Sequence, residues 1–256
     1  MKDLLYVSIV NSNRNGVFVK LAKNWVDIAL RAGVDNYIIY CCDDSSFETL
    51  GSLGLKVKRA PTEQHESPPC INNQHFGEIP FFKLIILEDA LRSFGNDVVL
   101  TDADAFILQD PSLAINDLFQ KFDMLISTVN HDQAYPPKIR EKLGFTLCSG
   151  WFALKNNENS IKLLHNLRKF NFNGKDLQQE LNSYLLNDIS LVKDGINSNF
   201  KVDNVHIKLL NQSFINRSKK IIDSYVFHPF FDPRTILSLS KELLENRLQI
   251  SKKHKY

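Results

Sequence analysis

Apolar positions along this chain of 256 residues switch between two spacings, one suited to buried strands and one to helices. Leu4 to Val10 is a nearly unbroken apolar run, which predicts a strand covered on both faces. The polar turn Asn11-Ser12-Asn13-Arg14-Asn15-Gly16 follows. Phe18, Leu21, Ala22, Trp25, Val26 and Ala29 then recur at helical spacing, and Gly33 supplies the stop. Tyr37 to Tyr40 is a second short strand, closed by Cys42-Asp43-Asp44. Strand, helix and strand at this spacing form a βαβ unit. Its helical crossover requires parallel strands and so an α/β fold.

Further along, Leu55 to Lys58 is a weaker strand signal. Residues 60–80 carry four prolines and read as a long loop. Phe81 to Phe94 is apolar around most of its circumference and predicts a largely buried helix bearing Lys83. Met124 to Val129 and Phe145 to Leu154 read as strands, with a loop through His131 and Pro137 between them. Ile161 to Phe170 and Leu177 to Leu186 read as helices, and Val205 to Leu209 and Tyr225 to Phe227 as strands. Ile236 to Ile250 has the period of an amphipathic helix and runs into the basic tail Lys252-Lys253-His254-Lys255. No internal repeat or break in composition divides the chain. A single domain over residues 1–256 is therefore expected, with a central, mostly parallel mixed sheet flanked by helices.

One strand ends in chemistry. Asp97-Val98-Val99-Leu100-Thr101 leads directly into Asp102-Ala103-Asp104, followed by Phe106-Ile107-Leu108 and the turn Asp110-Pro111. Side chains two apart on a strand share a face, so alternation would aim both carboxylates the same way. Two hard oxygen ligands on a rigid element suit a divalent cation that also holds phosphates. With nineteen aspartates in the chain, about one such triplet arises by chance, so its context carries the weight. In open α/β sheets the ligand crevice lies beyond the carboxyl ends of the strands. Asn11, Asp43, Asp102 and Asp104 all follow directly on predicted strands and would gather there if those strands are parallel neighbours.

Composition narrows the field. The net charge of +2 is too small to point to nucleic acid. No apolar run reaches the length of a membrane span, and the first residues lack a signal-peptide layout, so a cytoplasmic protein is expected. Cys41, Cys42, Cys70 and Cys148 show no zinc-type spacing, and the adjacent Cys41 and Cys42 read as small buried residues. Asn211 and Asn216 sit in glycosylation sequons that a chain rich in asparagine acquires by coincidence. The basic tail allows at most peripheral contact with an acidic membrane.

Several segments, in order, resemble the nucleotide-diphospho-sugar transferase family of GT-A type glycosyltransferases, which includes the plant pectin xylosyltransferases. They are Val7-Ser8-Ile9-Val10-Asn11, then Ile38-Ile39-Tyr40-Cys41-Cys42-Asp43, then Lys83 ahead of the Asp102-Ala103-Asp104 strand. Gln109-Asp110-Pro111, Ser149-Gly150-Trp151-Phe152 and Tyr225-Val226-Phe227-His228 follow. Asp176, Gln178 and Asn182 resemble an Asp-Gln…Asn helix, with the Asp displaced by one residue. The resemblance spans residues 4 to about 232 and implies a GT-A, Rossmann-like fold.

What the resemblance implies is a metal-dependent transfer of a hexose or pentose from a nucleoside-diphosphate sugar, UDP foremost, to a glycan or glycoconjugate hydroxyl. Residues 1–110 would form the nucleotide-binding half and residues 111–256 the acceptor half with the C-terminal helix. Asp104 and His228 would ligate Mn²⁺ or Mg²⁺; Asp102 would hold the metal, a water on it or the nucleotide ribose. Lys83 would meet a phosphate, Asn11 and Asp43 the base and ribose, and Ser149 and Gly150 the sugar or acceptor by close backbone approach. Asn11 and Asp43 serve equally well as turn formers, and Gly150 as a strand kink. Asp176, Gln178 and Gln179 would lie near the reacting carbon, where Asp176 could equally be a helix cap. The family typically retains anomeric configuration, so the resemblance implies retention.

Two rivals share parts of this pattern. An aspartate-nucleophile phosphatase also places Asp-x-Asp after a strand, but on the first strand, whereas a βαβ unit precedes it here. A degenerate nucleotide-binding scaffold would lack a metal-site residue, whereas Asp102, Asp104 and His228 are all present. An EF-hand loop fails because Phe106 and Ile107 stand where an oxygen ligand and a glycine are needed.

Overall fold

Strands that are apolar on both faces need a layer of helices on each side, and this chain supplies both. A computed structural model describes residues 3–12, 16–61, 78–130, 134–170, 177–187, 199–211, 213–217, 224–229 and 233–253. In chain order the elements are β1 (Leu4–Val10), α1 (Val17–Ala32), β2 (Tyr37–Cys41), α2 (Asp44–Ser52), β3 (Val57–Arg59), α3 (Glu78–Phe94), β4 (Asp97–Thr101) and β5 (Phe106–Ile107). Then come α4 (Ser112–Leu118), β6 (Met124–Val129), α5 (Pro137–Leu143), β7 (Thr146–Leu154), α6 (Glu158–Lys169) and α7 (Leu177–Leu185). The remainder is β8 (Asn199–Val202), β9 (Val205–Leu210), β10 (Ile215–Asn216), β11 (Val226–Phe227) and α8 (Pro233–Lys253).

The main sheet has the order β3-β2-β1-β4-β7-β6-β9-β8, and a small second sheet has the order β10-β11-β5. In the main sheet β3, β2, β1 and β4 pair in parallel, as do β6 and β9, while β7 and β8 run against their neighbours. This is a single α/β domain with a mixed, mostly parallel sheet flanked by helices, as the residue pattern implies. Alternation along each strand divides the core. Leu4, Tyr6, Val99, Trp151 and Ala153 face a layer that holds Trp25 of α1 and Ile236 of α8. Leu5, Val7, Val98, Leu100 and Phe152 face the opposite layer, with Leu84 and Leu87 of α3, Leu163 of α6 and Leu181 of α7. No helix among the described residues is long and apolar enough to cross a membrane.

Local chemistry explains the ends of the helices. Gly33 closes α1 at φ 95°, a left-handed conformation that costs glycine little, and its N–H caps the Ala29 and Leu30 carbonyls. The Asp43 side chain caps α2 through the Ser46 N–H. The sequence pattern misses α2, because its nine residues bury only Ser46 and Leu50 and so show no apolar stripe. The expected loop around Pro137 is instead the helix α5, which starts on Pro137, where a missing N–H costs nothing. His131 lies outside the described residues, as does most of the expected 60–80 loop; α3 begins at Glu78, within that stretch. Cys41, Cys42 and Cys148 are free thiols, and Cys70 is outside the described residues. Asn216 is fully buried, so its sequon faces the core.

Asp89 on α3 ties that helix to the sheet. It accepts hydrogen bonds from Tyr40 Oη at 2.5 Å and Lys58 Nζ at 2.5 Å, and Ser93 donates to its other oxygen at 3.2 Å. Burial alone would raise the Asp89 carboxyl, but the Lys58 and Tyr40 hydrogen bonds and the Lys58 charge outweigh it and hold it below its ordinary value. A folded-state value below the unfolded one means that the unfolded chain binds more protons in the acid range. The stabilisation is therefore complete above the unfolded value, near pH 4, and disappears as pH falls through the folded one. Asp89→Asn is expected to lower stability at pH 7 by roughly 1–2 kcal/mol, after allowing for partial solvent screening. Urea melts at several pH values should show that gap closing below about pH 4; a gap independent of pH would show that the charge on Asp89 does nothing.

Candidate functional site

The parallel arrangement of β2, β1 and β4 brings Asn11, Asp43 and Asp102 to the same edge of the sheet, since each follows its strand's carboxyl end. Asn11 is buried there. Asp43 accepts the Ser12 N–H at 2.7 Å on one oxygen and the Ser46 N–H at 2.8 Å on the other. It thereby joins the β1–α1 turn to the start of α2.

The two carboxylates of Asp102-Ala103-Asp104 converge for a reason other than alternation. β4 ends at Thr101, and both aspartates lie in the turn that follows. The Ala105 N–H donates to the Asp102 carbonyl at 2.9 Å, closing the turn. The Ala105 carbonyl accepts from Trp25 Nε1 at 3.1 Å and Thr101 Oγ1 at 3.0 Å. A buried indole on α1 thus holds the loop in place. The turn sends the chain out of the main sheet into β5, which pairs antiparallel with β11 in the register Phe106 to Phe227. One step further in that register sets His228 beside Ala105, and this is how a residue from far along the chain reaches Asp104.

His228 Nε2 lies 3.4 Å from Asp104 Oδ1. One ligand atom from each of Asp102, Asp104 and His228 falls within 4.8 Å of the others. Two ligands at ~2.1 Å from one small cation stand up to ~4.2 Å apart, so a cation requires only a small contraction of this cluster. Asp102 and Asp104 keep 32% and 27% of their side-chain surface exposed, while His228 keeps 9%. The carboxylates therefore face solvent, with the imidazole beneath them. Two carboxylates and one imidazole are a donor set that accepts Mn²⁺ or Mg²⁺, the imidazole favouring Mn²⁺.

Each negative group has a positive neighbour. Lys83 Nζ, reaching from α3, donates to Asp102 Oδ1 at 2.5 Å and lies 3.5 Å from the Ser149 carbonyl. Burial would raise the Asp104 carboxyl, but His228, by charge and hydrogen bond, and then Lys83 hold it below its ordinary value. Burial and the Arg217 charge push His228 down, and Asp104 and Cys148 more than reverse this, raising it to about 9.

β7 forms the floor of the site. The Asp102 N–H donates to the Gly150 carbonyl at 2.8 Å. A Cβ on Gly150 would stand 2.3 Å from His228 Cε1 and 2.8 Å from Asp102 Oδ2, so no larger residue fits. The pairing of β6 with β7 also shifts register here, between Ile126 and Ser127. Gly150 is therefore both a strand irregularity and a point of close approach, and what approaches it is the Asp102 and His228 pair.

Gln178 Nε2 donates to the Tyr135 carbonyl at 2.7 Å, and Gln179 Oε1 accepts from Tyr135 Oη at 2.5 Å. These bonds place both glutamines against the 134–136 turn. Asn182 of the same helix is fully buried and pairs with both the N–H and the carbonyl of Leu147 in β7. Asp176 lies outside the described residues.

Two participants escape the sequence pattern. Cys148 Sγ lies 3.9 Å from His228 Nδ1, on the far side of the ring from Asp104, and Arg217 Nη2 donates to the same sulfur at 2.6 Å. Burial would raise the Cys148 thiol, but Arg217 and His228 bring it down to about 6. The available signal for Cys148 is its place directly before Ser149-Gly150 on the same strand. Arg217 follows a two-residue strand, which leaves no pattern to read.

Gly150→Ala is expected to displace the His228 ring and lower stability by about 1–3 kcal/mol. Thermal melts and the His228 Cε1 proton resonance read the two effects. A melt and a resonance identical to wild type would show that the site has room for a methyl group.

The sequence and the fold have counterparts among known proteins. The family model described as nucleotide-diphospho-sugar transferase matches residues 32–230. The match is to the family as a whole and does not single out the pectin xylosyltransferases. Among solved structures, the fold is similar to a glycosyltransferase involved in glycosylation of the major capsid of PBCV-1. The TM-score is 0.57 at 9% identity, covering 93% of this chain and 98% of that one. It is also similar to CMP:2-keto-3-deoxy-manno-octonic acid synthetase complexed with CTP, with a TM-score of 0.50 at 11% identity, covering 95% of this chain and 99% of that one. No curated protein matches the chain. With a family match that covers well over half its length, the chain belongs to the nucleotide-diphospho-sugar transferases.

Proposed function

We propose that this protein is a metal-dependent glycosyltransferase. It moves a hexose or pentose from a nucleoside-diphosphate sugar, with UDP as the nucleotide, to a hydroxyl of a glycan or glycoconjugate and retains anomeric configuration. One observation carries the reading: Asp102, Asp104 and His228 converge within 4.8 Å beside the carboxyl ends of parallel strands, in a chain of this family.

Asp104 and His228, with Asp102 directly or through a water, would hold Mn²⁺ or Mg²⁺, and a cation there supplies a Lewis acid for the charge that gathers on the leaving diphosphate. Lys83 stands beside Asp102 and adds a second positive charge facing the phosphates. Asn11 and Asp43 border the same edge and serve the base and ribose. The Ser12 and Ser46 N–H groups use one lone pair on each Asp43 oxygen, which leaves acceptor capacity for a ribose hydroxyl. Ser149 and Gly150 form a backbone surface that a sugar approaches closely. Gln178 and Gln179, each bonded to Tyr135, serve near the reacting carbon, and Asp176 is assigned to the same task. On this division residues 1–110 bind the nucleotide, and residues 111–256 supply the acceptor side and His228.

A screen of nucleotide sugars, with Mn²⁺ or with chelator, tests the reaction. Metal-dependent release of the nucleoside diphosphate from at least one donor is expected. No turnover of any sugar nucleotide, alongside brisk phosphatase activity, would sink the assignment. Asp104→Ala is expected to abolish metal-dependent UDP binding in calorimetry; unchanged binding in that variant would remove the metal site.

A further inference from the structure

We propose that Cys148 is a positioning residue for His228: its sulfur takes the Nδ1–H of the imidazole, so that Nε2 presents its lone pair to the cation. The inference rests on the metal-site reading above and extends it to a residue outside the ligand set.

An imidazole that binds a metal through one nitrogen must carry its proton on the other, and that N–H needs a fixed acceptor. His228 directs Nε2 toward Asp104 and Nδ1 toward Cys148 Sγ. The ring is thus held between a ligand carboxylate and a sulfur. A thiol sulfur alone is a weak acceptor. Here the sulfur is held by two further donors, the Arg217 guanidinium at 2.6 Å and the Gly150 N–H at 3.4 Å. Both donors belong to segments that position His228. The His228 N–H donates to the carbonyl of Asn216, the residue before Arg217, at 2.8 Å. Gly150 is the residue whose missing side chain admits the ring. The sulfur of β7 and the ring after β11 therefore meet where the main and small sheets join. Moving the sulfur frees the ring to turn about its Cβ–Cγ bond and to change tautomer.

The test titrates Mn²⁺ alone into wild type, Cys148→Ala and Cys148→Ser, with free ion measured by electron paramagnetic resonance. Circular dichroism and melting report the fold. Cys148→Ala is expected to weaken Mn²⁺ binding about 10–100-fold. Cys148→Ser is expected to recover most of that loss, because a hydroxyl still accepts from Nδ1–H. A second measurement needs no variant: ¹⁵N–¹H correlation of the His228 ring in Mg²⁺-saturated wild type should place the proton on Nδ1. A proton on Nε2, or wild-type Mn²⁺ affinity in a folded Cys148→Ala, overturns the proposal while leaving the metal site standing. Absence of Mn²⁺ binding in wild type overturns the metal site itself and this proposal with it.

Discussion

The approach of the His228 ring to the backbone of Gly150 is the constraint on which the rest of the site depends. A Cβ on Gly150 would stand 2.3 Å from His228 Cε1, so the ring occupies space that any other residue would fill. That contact joins two sheets. β7 belongs to the eight-stranded sheet, and His228 follows β11 of the three-stranded one. The Asp102 N–H is bonded to the Gly150 carbonyl, so the strand that admits the imidazole also positions the first carboxylate. Three segments of the chain, the turn after β4, strand β7 and the end of β11, are brought together at a single close-packed point.

Charge is balanced around that point. Two carboxylates in one small cluster repel unless each meets a positive neighbour. Lys83 meets Asp102, and His228 meets Asp104. Arg217 and Cys148 form a third couple behind the ring. The three couples run from α3 on one side of the site to the small sheet on the other. Desolvation works against the charged forms of Asp104 and His228, and their mutual attraction outweighs it. Asp104 therefore lies below its ordinary value and His228 rises to about 9. Such matched charges cost stability to assemble but leave the ligand atoms already oriented.

The supports of the site lie in the core. Trp25 is fully buried on α1, yet its indole N–H holds the Ala105 carbonyl of the aspartate turn. Asn182, also fully buried, clamps Leu147 one residue before Cys148. Asp89 fixes the helix that carries Lys83. Both helix layers are thereby tied to the carboxyl edge of the parallel strands, and a bonded turn rather than a free loop presents the carboxylates.

Local pattern by itself determined the α/β class, because the apolar runs of β1 and β4 and the helical period of α1 are properties of adjacent residues. The same holds for Gly33 as a helix stop and for Asp102 and Asp104 as a strand-end pair. His228 entered only through resemblance, since one histidine after a short strand has no distinguishing period. The nine residues of α2 are too sparsely buried, and the two residues of β10 too few, to leave a pattern. Tertiary structure alone decided that the carboxylates converge through a turn instead of by strand alternation. It also decided that the β5–β11 register carries His228 to Asp104, and that Cys148 and Arg217 stand behind the ring. The physical reason is that a residue's period records only which face it lies on. Which distant residue meets it there depends on strand register and on close packing between sheets, and neither is a property of any single segment.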